Sequence, residues 1–247
     1  MTHRTKAVLF DKDGTLLDFT ATYGPAIPEV IADLLGERDG GRFEAMADIL
    51  GYDLASGRFR DDSFLIAGST ADYLGDFARA TGLAADKALA DRIDALFRRF
   101  ALPSVTLFDG VVAVLDELAA RGLPVGVATN DAELNTHAQL EAAGLGGRFP
   151  FVVGYDSGHG GKPAPGQILA FARHAGVEPS EVAMIGDSVH DLAAARAAGA
   201  VAVGVTTGFY DAAHLGPHAD LLLAELSELL DAVDLPPRGS SRPVRVA

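Results

Sequence analysis

The chain has 247 residues, and its 20 Lys and Arg stand against 34 Asp and Glu, which gives a formal net charge of −14 at pH 7. Nucleic acids and anionic membranes are bound through basic surfaces, so this balance argues against both as partners. With 49% hydrophobic residues and no cysteine, the composition supplies one sizeable core and excludes global disorder, disulfide scaffolds and thiolate chemistry.

The first predicted element is a buried strand over Ala7–Phe10, an apolar run that stops at Asp11. This run is too short to be the core of a signal peptide. No later apolar run reaches the roughly 18 residues that a membrane-spanning helix needs. We therefore expect a cytoplasmic protein with no membrane partner.

A long helical insertion is predicted next, over residues 18–104. Its apolar residues recur at helical spacing, as in Ile27, Val30 and Ile31. A further helix, which ends at Arg121, precedes a regular alternation of strands and helices. The predicted strands are 124–129, 151–153, 181–186, 200–205 and 220–223, and the predicted helices are 133–143, 163–175, 188–198 and 226–233.

This alternation predicts a doubly wound α/β fold, because strands separated by helices pair in parallel through crossover connections. The predicted core comprises residues 1–17 and 105–235, and an all-helical segment, residues 18–104, is inserted after the first strand. The remaining residues, 236–247, are rich in Pro, Ser and Arg and are predicted to be a disordered tail.

Two carboxylates follow the first strand. Asp11 and Asp13 lie two residues apart, and such residues project to the same side of an extended chain. Ordinary Asp-rich turns and calcium-binding loops also begin with Asp-x-Asp-Gly. An EF-hand is excluded because Thr15, Leu16 and Leu17 break its series of ligands.

A second pair of carboxylates follows the predicted strand 181–186. Asp187 ends that strand, and Asp191 lies four residues later in the first turn of the next helix. Helix capping explains one of these acids, but not readily four acids at two strand ends. Converging carboxylates repel one another unless a divalent cation lies among them, and oxygen ligands favour Mg²⁺.

Two further segments carry groups that suit an oxyanion. Thr129 and Asn130 offer a hydroxyl and an amide, and Lys162 precedes Pro163 at the start of a predicted helix, where a cation suits a phosphate. Taken alone, Thr129 is more simply a strand-end cap and Lys162 a surface lysine. All four polar segments, however, lie at carboxyl ends of predicted parallel strands, where open α/β sheets bind ligands.

These motifs follow one another in a family order: Asp11-Lys12-Asp13-Gly14-Thr15-Leu16, Thr129-Asn130, Gly161-Lys162-Pro163-Ala164-Pro165, and Gly186-Asp187-Ser188 with Asp191. Over residues 7 to about 223 the chain resembles the haloacid dehalogenase superfamily of phosphohydrolases.

The resemblance implies a role for each motif residue. Asp11 would attack phosphorus and form an aspartyl-phosphate, and Asp13 would act as an acid and later as a base. Mg²⁺ would be held by Asp11, the backbone carbonyl of Asp13 and Asp187, with Asp191 in support. Lys162 and Thr129 would bind phosphoryl oxygens, and Asn130, next to Thr129, would belong to the same phosphate-binding group.

Two positions refine the resemblance. Asp13 argues against dehalogenation, because a departing halide needs no proton. Lys12 replaces the apolar residue common at its position, and strand alternation points its side chain away from the site, so we expect it to have little effect.

The insertion resembles the helical cap of the phosphoglycolate phosphatase-like branch, which closes over the site and excludes water. Only 31 residues separate Asn130 from Lys162, so a second large cap is not expected.

The sequence thus predicts a Mg²⁺-dependent phosphatase of a small phosphorylated metabolite, with 2-phosphoglycolate as the best single substrate, acting as a monomer or homodimer. A phosphomutase of a sugar phosphate is an alternative. Phosphonoacetaldehyde hydrolysis would need a cap lysine, and Lys87 is the only candidate, although a solvated lysine is the simpler interpretation. A phosphorylated-aspartate receiver would lack the insertion, and the intact motif residues argue against a binding protein without turnover.

The carboxylate of 2-phosphoglycolate would need a cation from the cap. Arg58 and Arg60, on either side of Phe59, are the candidates, because a guanidinium binds a carboxylate in a bidentate manner. The alternative interpretation is that both are solvated arginines near Asp61 and Asp62.

Overall fold

The computed structural model describes residues 5–36, 38 and 40–236. Most of the predicted tail, residues 237–247, lies outside the described residues. The strands, numbered in chain order, are β1 (Ala7–Phe10), β2 (Tyr52–Asp53), β3 (Arg58–Phe59), β4 (Val125–Ala128), β5 (Phe151–Val153), β6 (Val182–Gly186), β7 (Val201–Val205) and β8 (Leu221–Leu223).

A parallel sheet forms the centre of the molecule, and within the described residues its order is β5-β4-β1-β6-β7-β8. Strand β1 lies between β4 and β6, with Leu9 opposite both Gly126 and Met184. The sheet is covered on both faces, which is why its strands are continuous apolar runs rather than alternating ones.

The helices, also numbered in chain order, are α1 (Phe19–Tyr23), α2 (Ala26–Leu35), α3 (Gly41–Ile49), α4 (Thr70–Thr81), α5 (Lys87–Ala101), α6 (Val111–Ala120), α7 (Glu133–Ala142), α8 (Gly166–Ala175), α9 (Val189–Ala198), α10 (Ala212–Leu215) and α11 (Leu229–Ala232). Short 3₁₀ helices occur at Leu102–Ser104, Pro179–Glu181 and Leu226–Glu228. In the part of the chain that the structure describes, no helix has both the length and the apolar character needed to cross a bilayer.

Helices pack on both faces of the sheet, as the doubly wound prediction requires. Val8 and Phe10 of β1 belong to one core cluster with Val114 of α6. On the opposite face, Leu9 shares a second cluster with Phe171 of α8. The predicted doubly wound parallel sheet is therefore confirmed.

The segment between β1 and α6 has an apolar cluster of its own, in which α2, α4 and α5 contribute Ile27, Phe77 and Ile93. The prediction that this insertion is all-helical was wrong in one respect. Strands β2 and β3 form an antiparallel pair, with Tyr52 opposite Phe59. Two-residue strands are too short for alternation to be visible in the sequence.

Candidate active site

The carboxyl ends of neighbouring strands bring the predicted motif residues together. Asp11 follows β1, Thr129 follows β4, and Asp187 follows β6. Because β1 is hydrogen-bonded to both of the other strands, these residues lie at one edge of the sheet. Lys162, in the loop between β5 and α8, lines the same cavity.

A cluster of buried carboxylates lies at this edge. Asp11, Asp187 and Asp191 each offer an oxygen, and these oxygens lie within 4.8 Å of one another. The Nζ of Lys162 lies 2.8 Å from Oδ1 of Asp11 and 2.6 Å from Oδ1 of Asp191. The lysine therefore offsets part of the carboxylate charge.

Burial shifts the protonation of these groups. The pKa of Asp11 is raised to about 7, mainly because burial removes its hydration and secondly because Asp191 is a nearby negative charge. Lys162 opposes this shift. Loss of hydration also raises the pKa of Asp187 well above its ordinary value, and Asp11 and Asp191 add to the effect. Burial alone would lower the pKa of Lys162, but its two carboxylate partners raise it above the ordinary value, so the lysine stays charged.

The donor set fits a hard divalent cation, because it consists of buried carboxylate oxygens whose mutual repulsion such a cation would relieve. Asp187 has little freedom to move. Thr15 Oγ1 donates to its Oδ1 at 3.3 Å. The backbone at Gly14 and Gly208 approaches so closely that a Cβ there would lie 2.1 Å and 1.8 Å from Asp187 Oδ2.

Asp191 joins the start of α9 to Lys162. Its Oδ2 accepts from the hydroxyl of Ser188 at 2.6 Å and from the backbone N–H of Ser188 at 3.1 Å, which forms a capping box. Its Oδ1 accepts from Lys162. The capping interpretation of this residue is confirmed, and the same carboxylate also contacts the lysine; its support of a metal site stays a prediction.

The side chain of Asn130 is fully occupied by backbone groups. Its Oδ1 accepts from the N–H of Lys162 at 2.8 Å, and its Nδ2 donates to the carbonyls of Lys162 and Ala67, both at 2.9 Å. The structure therefore contradicts the prediction that this amide binds an oxyanion, since its donors are already used in fixing the loop before α8. Thr129 differs, because its Oγ1 accepts from the N–H of Asp131 and keeps its hydroxyl proton to donate.

Lys12 lies beside the site, which overturns the expectation that its side chain points away. Its Nζ is completely buried, 2.7 Å from Oδ2 of Asp13 and 3.0 Å from Oδ2 of Asp131. It also donates to Tyr23 and Gln139. Residue 12 lies beyond the end of β1, where the chain turns and strand alternation no longer sets the direction of a side chain.

As a result, the two carboxylate oxygens of Asp13 have different environments. Its Oδ2 is paired with Lys12, whereas its Oδ1 is buried and has no hydrogen-bond partner among the described residues. Burial raises the pKa of Asp13, and Lys12 opposes the shift. A carboxyl group of this kind, lining the cavity next to Asp11, can donate or accept a proton there.

Above the carboxylates lies a cavity with about 780 Å³ of empty space, counting its mouth. The insertion forms much of its wall. Aromatic lining residues are Phe19, Tyr23, Phe59, Tyr73, Phe97 and Phe209. In the sequence these aromatic residues look like ordinary core residues, and nothing in their spacing indicates that they face a cavity. Asp131 also lines it, and its position directly after Thr129-Asn130 was the available clue.

Arg58 and Arg60 do not line the cavity, which contradicts the prediction that they meet a substrate carboxylate. Phe59, between them, lines the cavity, whereas Arg58 and Arg60 are both exposed. Arg60 pairs with Asp48 at 2.8 Å and with Asp62 at 3.2 Å.

Lys87 does not line the cavity either. It is exposed at the first turn of α5 and pairs with Asp91 at 2.7 Å. The interpretation of Lys87 as a solvated lysine is therefore confirmed, and Schiff-base chemistry has no candidate lysine in the described part of the insertion.

Comparisons with known proteins show which family and which fold the chain shares. A family model described as haloacid dehalogenase-like hydrolase matches residues 5–199. A phosphoglycolate phosphatase from Chromobacterium violaceum is 38% identical over 135 residues, which cover 55% of this chain and 60% of that protein. The chain thus spans somewhat over half the length of this relative.

Solved structures share the fold at lower identity. A hydrolase from Pseudomonas syringae is 24% identical with a TM-score of 0.67, over 92% of this chain and 97% of that one. A β-phosphoglucomutase from Clostridium difficile is 17% identical with a TM-score of 0.65, over 91% and 93% of the two chains.

Proposed function

The chain belongs to the haloacid dehalogenase-like hydrolase family, and from that premise we propose that it is a Mg²⁺-dependent phosphatase that hydrolyses a small phosphomonoester through a phosphorylated Asp11. The observation that carries this proposal is the buried Asp11 carboxylate, 2.8 Å from Lys162 on the floor of the cavity. An ionised carboxylate is a nucleophile that needs no separate base.

Asp11, Asp187 and the backbone of Asp13 are the groups proposed to hold Mg²⁺, with Asp191 in support through Lys162. When bound, the ion supplies positive charge that keeps the carboxylates ionised and offsets repulsion between nucleophile and phosphoryl oxygens. Next to Lys162 and with no metal ion bound, the pKa of Asp11 is about 7. Further positive charge therefore increases the fraction of Asp11 that is ionised, and thus nucleophilic, at neutral pH.

In the first half-reaction, an oxygen of Asp11 forms a bond to phosphorus while the bond from phosphorus to the leaving oxygen breaks. Asp13 gives its proton to that leaving oxygen, so that an alcohol departs. Lys162 and the hydroxyl of Thr129 donate to phosphoryl oxygens and stabilise the charge that spreads over them.

In the second half-reaction, a water oxygen attacks the phosphorus of phosphorylated Asp11. Asp13, now ionised, takes the proton of that water, and the bond between Asp11 and phosphorus breaks. Inorganic phosphate leaves, and Asp11 and Asp13 return to their starting states. The wall of the insertion limits access of bulk water during the first half-reaction.

2-Phosphoglycolate is the reference substrate, because the curated relative described above carries that name. A phosphomutase would return an isomeric sugar phosphate instead of inorganic phosphate. The shared fold of the β-phosphoglucomutase neighbour does not favour that reaction, since folds host many activities.

The test is release of inorganic phosphate from p-nitrophenyl phosphate and 2-phosphoglycolate, with Mg²⁺ and with a chelator. We expect release only with Mg²⁺, and a loss of more than about a hundredfold in Asp11→Asn, because the amide keeps the shape of the carboxylate but is not a nucleophile. Asp109→Asn, a change at an exposed acid, is the control and keeps full activity. A folded Asp11→Asn that retains more than about a hundredth of the rate would reject covalent catalysis by Asp11.

A further inference from the structure

The cavity has a charged floor and an apolar wall. The insertion and the loop after β7 bring aromatic rings into contact along this wall: the centroid of Phe19 lies 4.8 Å from that of Phe59 and 5.7 Å from that of Phe209. Tyr23, whose ring centroid lies 4.9 Å from that of Phe19, meets Phe97 in an edge-on contact at 5.9 Å. The portion of a substrate that extends away from the phosphorus therefore meets hydrocarbon.

The charge that the insertion places on the cavity wall is negative, and it repels a substrate that carries a carboxylate. Among the described residues of the insertion, the charged side chain that lines the cavity is Asp94, and no Arg or Lys of the insertion does so. Asp94 is fixed in place, because Thr70 donates to its Oδ1 at 2.5 Å and Tyr155 donates to its Oδ2 at 2.9 Å.

The cations of the floor are already engaged by carboxylates. Lys162 pairs with Asp11 and Asp191, and Lys12 is buried behind Asp13 and Asp131. A second carboxylate on the substrate would lose its hydration without gaining an unpaired lysine or an arginine, and such burial is costly. The histidine among the described lining residues, His190, lies with its Nδ1 3.2 Å from the carbonyl oxygen of Ala67.

We propose, on the premise of the phosphatase activity above, that the substrate is a phosphomonoester of an uncharged, largely apolar alcohol, and that Asp94 disfavours esters that carry a carboxylate. The aromatic wall supplies binding energy for such an alcohol, and the acid on the wall supplies discrimination against its charged competitors.

The experiment compares kcat/KM for ethyl phosphate, 2-phenylethyl phosphate and 2-phosphoglycolate with saturating Mg²⁺. All three release a primary alcohol, so the chemical step is similar and differences report binding in the cavity. We expect 2-phenylethyl phosphate to exceed ethyl phosphate by about tenfold or more, the scale of well-packed apolar contacts, and 2-phosphoglycolate to be the poorest substrate.

A kcat/KM for 2-phosphoglycolate equal to or above that of 2-phenylethyl phosphate would overturn the inference while leaving the proposed phosphatase intact. Absence of phosphate release from all three esters and from p-nitrophenyl phosphate would instead remove the phosphatase, and the inference with it.

Variants of residues in the cavity wall test which side chains cause the preference among these esters. Asp94→Asn is expected to raise kcat/KM for 2-phosphoglycolate relative to ethyl phosphate by about fivefold, on the scale of a charge contact near a protein surface. The matched control is Asp91→Asn, which removes the same charge from an exposed position one turn earlier on α5 and leaves the ratio unchanged. Equal ratios in both variants would contradict the role of Asp94.

Phe59→Ala tests the apolar wall, and we expect the advantage of 2-phenylethyl over ethyl phosphate to disappear. Phe59→Leu keeps most of the apolar volume and serves if the alanine variant does not fold; it is expected to lower the same ratio. Phe100→Ala changes a half-buried phenylalanine of α5 outside the cavity lining and keeps the ratio. An unchanged ratio in folded Phe59 variants would assign the preference to another surface.

Discussion

Lys12 is the residue whose environment differs most from what its place in the sequence indicates. A fully buried ammonium is costly unless it is paired, and here Asp13 and Asp131 pair with it at 2.7 Å and 3.0 Å. Because Lys12 holds Oδ2 of Asp13, the other oxygen of that carboxyl group has a fixed direction. The geometry makes Lys12 a positioning residue for the proposed acid.

Lys12→Met is expected to lower kcat/KM for ethyl phosphate by about tenfold or more, and for p-nitrophenyl phosphate much less. An alkoxide needs a proton to depart, whereas p-nitrophenolate is stable enough to leave without one. Since kcat/KM reports the steps through phosphorylation of Asp11, it isolates the leaving-group proton from the later attack of water.

Tyr23→Phe is the control for this variant, because it removes one partner of Lys12, 3.0 Å away, and retains the buried cation. We expect it to keep the wild-type ratio of the two substrates. A loss in Lys12→Met that is equal for both substrates would indicate a structural role for Lys12 alone.

At the scale of elements, the start of α9 supports both folding and the site. Ser188 caps the helix and binds Asp191, which in turn pairs with Lys162. A cap of this kind satisfies N–H groups of the first turn that have no partner within the helix. Here the same hydrogen bonds also fix the cation that faces the proposed phosphoryl group.

Ser188→Ala is expected to reduce the free energy of unfolding by about 1 kcal/mol and to lower kcat/KM by about tenfold or more, because Asp191 and Lys162 lose an anchor. Asp86→Ala removes the N-cap of α5, whose side chain accepts from Leu89, at an exposed end away from the cavity. Thermal melts should show a similar decrease in melting temperature for both variants, whereas kcat/KM should fall only in Ser188→Ala. Full activity in Ser188→Ala would mean that Lys162 needs no such anchor.

The sequence predicts elements well where one physical rule dominates. Buried parallel strands such as β1 and β6 are unbroken apolar runs, and each ends at an acid that also marks the site. The β2–β3 pair is too short to show its period, so Arg58 and Arg60 appeared to be as available as Phe59. Lys12 and Asn130 could not be predicted because their partners come from distant segments that only the fold brings near.

At the scale of the whole molecule, the net charge of −14 is carried partly by acids packed at one edge of the sheet. The pKa of Asp11 is about 7 and that of Asp187 is raised, so both acids bind protons more tightly in the folded than in the unfolded chain. Without a cation, stability therefore falls as pH rises from the unfolded pKa of about 3.9 toward the folded values.

Mg²⁺ is expected to raise the melting temperature more at pH 8 than at pH 5, because protons compete with the ion at the lower pH. At a hundred times its dissociation constant the ion adds about 2.7 kcal/mol, which corresponds to roughly 5–10 °C for a chain of this size. Differential scanning calorimetry with Mg²⁺ and with chelator measures the shift.

Asp187→Asn should lose most of the Mg²⁺ shift, since it removes a proposed ligand oxygen charge while preserving shape. Equal shifts at the two pH values, or an unchanged shift in Asp187→Asn, would mean that the ion binds outside this carboxylate cluster.

The ring of Phe209 lies after β7, far along the chain from Phe19 and Phe59, yet it packs against both. The wall is thus encoded in two distant stretches of the gene. Replacing residues 18–104 alone would change Phe19 and Phe59 and their surroundings while leaving Phe209 as it is. The proposed substrate preference of this chain would therefore depend on both stretches together, and changing it would require coordinated substitutions in both.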